Sequence, residues 1–192
     1  MPIDLHSPPS KQGLPALSTE RLRLVPYGAA PATVEAYCEI TTDPAVYWWQ
    51  DPPYTAAQQT DYFNTGKLWT AAERGMGYWA VFEHKTDAVL GQVILQLLEE
   101  TGLIEIGWHF LERARGHGYA TEAAARLLAH GFDVAGVDPI YAVIRPSNEP
   151  SIQVAVRIGM RPDGQGTYYG HPHLRFRLTR SLHASQQQDL SS

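Results

Sequence analysis

The chain has 192 residues, 44% apolar and 18% charged, with a formal net charge of −5, which fits one globular domain able to bury a core. The acidic balance argues against a nucleic-acid binder, whose footprint would be a basic face. No apolar run approaches the roughly 18 residues needed to cross a bilayer, and the single cysteine, Cys38, excludes an intramolecular disulfide framework.

Residues 1–16 hold four prolines and little periodicity, and are expected to form a flexible arm. No basic segment followed by an apolar one opens the chain, so a cytoplasmic compartment is expected. Alternation predicts a strand over Arg21 to Pro26, and helical periodicity predicts helices over 32–40 and 56–74. Between them lies a proline- and tryptophan-rich stretch, Pro44 to Thr55. Three strands in antiparallel succession are expected over 78–83, 89–98 and 103–111, separated by turn signals at Lys85-Thr86-Asp87 and at 99–102. A helix over 119–135, a strand over 140–144 and a helix over 149–158 follow. A hairpin over 167–179 turning near Gly170 closes the domain, and the polar tail from Ser181 is expected to fray. The domain itself is read as 17–180. Strands first and strand–helix–strand–helix after give an α+β fold with a mixed sheet.

The most informative stretch is Arg113-Ala-Arg-Gly-His-Gly-Tyr-Ala-Thr121, between the apolar strand and the helix that follows. A glycine-containing turn at a helix N-terminus gathers backbone N–H groups and the positive end of the helix dipole, which suits an anion. Gly116 and Gly118 permit close backbone approach or positive φ, while Arg113, Arg115 and His117 add cationic or donor groups at the rim. The expected ligand is a pyrophosphate, although an ordinary strand-to-helix turn gives the same pattern. Thr121 stands where a dinucleotide fingerprint wants its third glycine, and no Gly-Lys-Ser/Thr is present for a P-loop.

The sequence Arg113-x-x-Gly116-x-Gly118-x-Ala120 resembles the acetyl-CoA loop of the GNAT N-acetyltransferases. Asn148-x-x-Ser151 followed by Ile158-Gly159-Met160 is similar to a second segment of that family, with Met160 in place of its usual Phe. Leu17-Ser-Thr-Glu-Arg-Leu-Arg-Leu24 and Glu105-Ile-Gly-Trp108 look like the branch that includes ribosomal-protein N-terminal acetyltransferases. The resemblance covers about residues 17 to 180. It implies a central, mostly antiparallel mixed sheet whose parallel strands at 103–111 and 140–144 splay apart, flanked by helices. It also implies acetyl-CoA as acetyl donor, no metal, and an acceptor that is a protein N-terminus or a small-molecule amine. A monomer or homodimer is expected, with neither nucleic acid nor membrane as partner. The cofactor would be held by Arg113, Arg115, Gly116, His117, Gly118, Tyr119, Ala120 and Thr121 in the loop. The backbone of His109, Phe110 and Leu111, with Asn148 and Ser151, would complete its binding.

Acetyl transfer by direct attack needs a neutral amine, a polarised carbonyl and a proton for the departing thiolate. Glu105 lies on the strand face shared with Gly107 and His109, opposite Ile104, Ile106, Trp108 and Phe110. It is either a base acting directly or through water, or a solvated or ion-paired surface residue. His109 is read as a rival base, an orienting group, or the polar side of an amphipathic strand. By resemblance Ser151 donates the proton to the thiolate; Ser151 and Asn148 are equally suited to cap a helix. Cys38, in a helical pattern, is read as packed. The patch Tyr47-Trp48-Trp49 with Pro52-Pro53-Tyr54 either covers the acceptor site or lids the sheet edge. His171-x-His173 lacks the further ligands a metal would need. A non-catalytic acyl-CoA sensor and, more remotely, a pyridine-nucleotide enzyme are the alternative functions. An α-amine, with a pKa of about 7.7–8, suits a modest base better than lysine at about 10.4.

Overall fold

The computed structural model describes residues 13–49, 52–65, 68, 71–98 and 101–190. Among these residues eight strands form one sheet in the order β1-β2-β3-β4-β5-β6-β8-β7. They are β1 (Leu17–Ser18), β2 (Leu22–Pro26), β3 (Gly77–Glu83), β4 (Val89–Leu98), β5 (Leu103–Phe110), β6 (Ile140–Ile144), β7 (Arg161–Tyr168) and β8 (His171–Leu178). The described helices are α1 (Pro31–Thr42), α2 (Ala56–Asn64), α3 (Tyr119–Asp133), α4 (Glu149–Arg157) and α5 (Arg180–Leu190). Every neighbouring pair is antiparallel except β5 and β6. Those two parallel strands pair only at Ile104↔Ile140 and Glu105↔Tyr141, then part, leaving a wedge toward their C-terminal ends.

The period of two sorts each strand between two environments. Trp79 and Val81 of β3, Val93 and Leu95 of β4, and Ile106 and Phe110 of β5 face α3 and α4. There they pack with Ala123, Ala124, Leu127, Leu128 and Phe132 of α3 and with Val154 and Ala155 of α4. Alanines at 123 and 124 let the helix axis approach the sheet, and the leucines fill the next turn. On the other face, Ala80 and Phe82 pack with Ala36 and Tyr37 of α1 and Phe63 of α2. α1 and α2 cover only the first strands on that side, so the β4–β5–β6 portion is left open as a cavity floor.

Four local expectations change. The helix expected over 56–74 closes at Asn64, and a 3-10 turn at Ala72–Arg74 ends on Gly75 in the left-handed conformation. Residues 66, 67, 69 and 70 of it lie outside the described residues. Residues 1–12 of the expected arm do too, but Leu14 packs on the core and the Pro15 carbonyl accepts from Trp79 Nε1 at 2.9 Å. The hairpin starts earlier than expected, at Arg161, because an irregularity between Pro162 and Gln165 absorbs the turn-like Asp163-Gly164 pair. The tail expected to fray is α5, held by contacts its own pattern does not advertise. Gln186 donates to the Gly159 carbonyl at 3.1 Å, the His183 ring lies 5.3 Å from Phe132, and Leu182 packs on the core. No described helix is long and apolar enough to cross a membrane.

Candidate active site

A cavity of about 820 Å³ occupies the open face, floored by β4, β5 and β6 and reaching α4 and the loop before α3. That loop leaves β5 through a 3-10 turn, Glu112–Ala114, and enters α3 at Gly118, whose φ is 77°; Gly116 has φ 80°. An L side chain is strained in this region, so glycine is required for the chain to turn here. The N–H groups of Gly116, His117, Gly118, Tyr119, Ala120 and Thr121 have no acceptor among the described residues, and the first helical bond runs from Glu122 N–H to the Gly118 carbonyl. A Cβ built on Gly116 would meet nothing within 4 Å. Unspent donors at the positive end of a fifteen-residue helix form a cradle that suits an anion. Arg21 braces it: its Nη1 donates to the His117 carbonyl at 3.0 Å, its Nε to Glu122 at 2.6 Å, and its guanidinium lies 4.7 Å from the Tyr119 ring centre. Thr19 also donates to Glu122, at 2.5 Å, and these bonds hold that carboxyl below its ordinary range despite partial burial.

The expected cations separate. Arg113 turns away from the cradle to pair with Glu39 at 2.7 Å and the Val89 carbonyl at 2.8 Å. Arg115 donates to the Ala45 carbonyl at 2.7 Å and lines the cavity. His117 stacks on Tyr119, with Nδ1 2.8 Å from the Arg115 carbonyl oxygen. Leu111, expected to serve the cofactor through its backbone, spends its N–H on Leu90 and its carbonyl on Ala114. Alternation along β5 then turns the backbone groups of Trp108 and Phe110, rather than those of His109, toward the wedge.

Glu105 and His109 stand on the cavity face, each in a polar rung set by the β4–β5 register. Gln96 is opposite Glu105 and Gln92 is opposite His109. Glu105 is 7% exposed, and Oε2 accepts from Tyr169 Oη at 2.5 Å and from Gln96 Nε2 at 3.2 Å. Tyr78 Oη donates to Gln96 at 2.5 Å, which orients that amide. Burial raises the Glu105 pKa, and the bonds from Tyr169 and Gln96 offset part of the rise. Oε1 has no partner among the described residues. Glu105 is thus a buried carboxyl that makes no ion pair among the described residues.

His109 is different. Gln92 is 1% exposed, accepts from Tyr27 at 2.8 Å, and donates Nε2 to Tyr47 Oη at 2.9 Å and to His109 Nδ1 at 3.1 Å. With the Gln92 amide in this orientation Nδ1 accepts, and the proton of the neutral ring then sits on Nε2. Burial lowers the His109 pKa to about 4. In that tautomer Nε2 donates a hydrogen bond, and so low a pKa makes the ring a weak base toward an amine.

Asn148 caps α4, its side-chain oxygen accepting from Ser151 N–H at 3.3 Å. Ser151 lines the cavity, and its hydroxyl has no partner among the described residues. Tyr47 and Trp49 lean on the His109 ring at 5.0 and 6.0 Å between centres, while Arg145, just past β6, lies 5.5 Å from Trp48 and 5.9 Å from Trp49. The aromatic patch therefore crosses the wedge from β5 to β6. Cys38 sits with the α1–α2 cluster, 3.4 Å from Thr60 Oγ1. His173 Nδ1 lies 2.8 Å from the His171 carbonyl oxygen, and no group of three or more His, Cys, Asp or Glu that could hold a metal occurs among the described residues.

The fold thus brings Glu105, His109 and Ser151 around one cavity and sets the 116–121 cradle beside it. Sequence reasoning missed Gln92, Gln96, Tyr78, Tyr169 and Arg145. One signal was available for Tyr169: a tyrosine stands before Gly170 at the turn position where Asn or Gly is expected.

Residues 21–161 match the family model described as an acetyltransferase (GNAT) domain. A Bacillus subtilis relative, the uncharacterized protein YkkB, is 39% identical over 88 residues, 45% of this chain and 51% of that protein. The chain thus spans about half the length of that relative. An acetyltransferase structure from Agrobacterium tumefaciens superposes with a TM-score of 0.72 at 27% identity, covering 90% of this chain and 98% of that one. Mycobacterium smegmatis RimJ, in complex with CoA-disulfide, shares the fold with a TM-score of 0.67 at 20% identity, covering 83% and 82%. With cradle, wedge and matched segment coinciding along the chain, the protein belongs to the GNAT acetyltransferase family.

Proposed function

We propose that the protein transfers an acetyl group from acetyl-CoA to a primary amine by direct attack. The observation that carries this reading is the run of unspent N–H groups at 116–121 beside a wedge overlooked by the buried carboxylate of Glu105. When bound, acetyl-CoA supplies the activated carbonyl; its pyrophosphate would lie on the cradle, with Arg115 at the rim. The amine nitrogen forms a bond to the carbonyl carbon, the carbon–sulfur bond breaks, and the amine proton passes to Glu105 directly or through water. The thiolate takes a proton, for which the free hydroxyl of Ser151 is the candidate donor. His109, held neutral, orients the acceptor through Nε2–H. The acceptor is a small-molecule amine or a protein N-terminus, whose pKa leaves a neutral fraction for a modest base.

The test combines calorimetric titration of acetyl-CoA with measurement of CoA-thiol release over an amine panel. Saturable binding and amine-dependent thiol release are expected. Binding without release under any amine would reassign the fold to a sensor, and tighter binding of NADH than of acetyl-CoA would sink both readings.

A further inference from the structure

A second cavity, of about 460 Å³, lies between α1, α2, β3 and β4, on the same sheet face as the first. Tyr47, Tyr54, Tyr78 and Tyr169 line both cavities and form the seam between them. The seam meets the reaction centre directly: Tyr169 donates to Glu105, and Tyr78 to the Gln96 amide that also donates to Glu105. No charged side chain lines the second cavity among the described residues. Its wall is largely tyrosine. It also holds Gln59, 7% exposed, whose Oε1 accepts from Tyr37 at 2.8 Å and whose Nε2 has no partner among the described residues. Reversing that amide only exchanges the atoms, since a tyrosine hydroxyl can accept as well as donate, so one amide atom is unspent either way.

We propose that this second cavity holds the body of the acceptor, and that the acceptor is a primary amine joined to an uncharged aromatic ring with a polar substituent. This rests on the acetyl-transfer reading above. A cavity of this size matches a small-ligand site. Aromatic walls suit a flat ring in edge or offset contact. A buried amide with an unspent atom selects a ring that carries a hydroxyl or carbonyl, because a site built to bond a polar group penalises the analogue that lacks it. With the ring between α1 and α2, the amine crosses the tyrosine seam toward Glu105. A polyamine fits poorly. Its further ammonium groups would enter a cavity lined by no carboxylate among the described residues, and among those residues the first cavity sets Glu105 against Arg115 and Arg145.

The experiment compares tyramine, butylamine and spermidine as acceptors by CoA-thiol release, in the wild type and in Gln59→Leu. Tyramine should exceed butylamine and spermidine in kcat/KM by about tenfold or more. Gln59→Leu should lower the tyramine value by about tenfold and the butylamine value by much less, with acetyl-CoA affinity unchanged. Since Gln59 also supports Tyr37, a second measurement uses the wild type alone: p-cresol, the ring without the amine, should inhibit competitively against tyramine and not against acetyl-CoA. Equal rates with tyramine and butylamine, preference for spermidine, or no inhibition by p-cresol would overturn this assignment and leave acetyl transfer standing. Absence of thiol release with every amine would overturn both.

Discussion

Tyr169 donates its hydroxyl to Oε2 of Glu105 at 2.5 Å, although 64 residues separate them in the chain. The bond is made from an unfavourable backbone: Tyr169 has φ 51° and is followed by Gly170 at φ 73°, the pair of left-handed positions that a tight hairpin turn usually fills with Asn-Gly. A bulky residue there costs about 1 kcal/mol or more. That cost falls at a turn whose side chain reaches the candidate base.

The bond favours the carboxylate, whereas burial favours the acid. Catalysis by Glu105 needs the carboxylate, so the rate should rise with pH along an acid limb above the ordinary carboxylate range. Tyr169→Phe removes a bond to the charged form, so its limb should move to higher pH while the rate recovers above it. Glu105→Gln should abolish the limb and lower the rate by about 10²–10⁴-fold. Linkage gives an independent reading: a group with a raised folded pKa stabilises the fold at low pH and loses that contribution as pH rises through the folded pKa. Chemical denaturation of Glu105→Gln should therefore show a smaller loss of stability across that window than the wild type. A limb unmoved in Tyr169→Phe would mean the hydroxyl does not tune this carboxyl.

His109 titrates the other way. Its folded pKa of about 4 lies below the ordinary 6.5, so the unfolded chain binds a proton that the folded chain refuses. Stability is complete above 6.5 and falls as pH drops toward 4. His130 and His173 are also lowered by burial, so the informative quantity is a difference between proteins. His109→Gln should lose less stability between pH 7 and pH 5 than the wild type, read as the shift in urea midpoint. The same variant should raise the acceptor KM and keep the acid limb. A vanished limb would return the base role to His109.

The faces of β5 were legible in the sequence because period two depends only on the strand's own residues, and it placed Glu105, Gly107 and His109 together. The cradle was legible for a similar reason: strand, glycines and helix start are contiguous at 113–121. The polar rungs were hidden because they depend on register between strands. Gln92 and Gln96 acquire meaning only when β4 is set against β5 with Gly91 opposite Phe110. Arg113 looked like a phosphate ligand until α1 brought Glu39 to it. α5 was missed because its stability lies in contacts with Gly159 and Phe132, more than twenty residues away in the chain, rather than in its own pattern.

Gly118→Ala should weaken acetyl-CoA binding by tenfold or more, by placing a methyl in the cradle. The backbone penalty at positive φ, about 1 kcal/mol, needs a matched control. Gly102 supplies one: its φ is 73° and nothing lies within 4 Å of its built Cβ. It precedes β5, about 26 Å of strand from the cradle. Gly102→Ala should lower Tm by a similar amount and leave acetyl-CoA affinity unchanged in calorimetry. Equal affinity in both variants would remove the pyrophosphate from this loop.

Asn148 and Ser151 meet in one hydrogen bond, Asn148 accepting from the Ser151 N–H at 3.3 Å, yet their side chains should act at different steps. Asn148→Ala removes a helix cap and should cost about 1 kcal/mol of stability. Asn148→Asp keeps a capping oxygen, loses the amide NH₂ and adds a negative charge at the helix start. If that NH₂ contacts the cofactor, Asn148→Asp should retain the wild-type Tm and bind acetyl-CoA more weakly. The Ser151 hydroxyl is spent on nothing among the described residues, so Ser151→Ala should leave both Tm and acetyl-CoA affinity nearly intact. Its effect should fall on kcat, because a proton donor matters only as negative charge develops on sulfur in the transition state. An acetyl-donor thioester analogue with a more stable leaving thiolate should narrow the gap between Ser151→Ala and wild type. If turnover in Ser151→Ala matches the wild type with acetyl-CoA itself, the thiolate takes its proton from solvent, and this end of α4 only positions the cofactor.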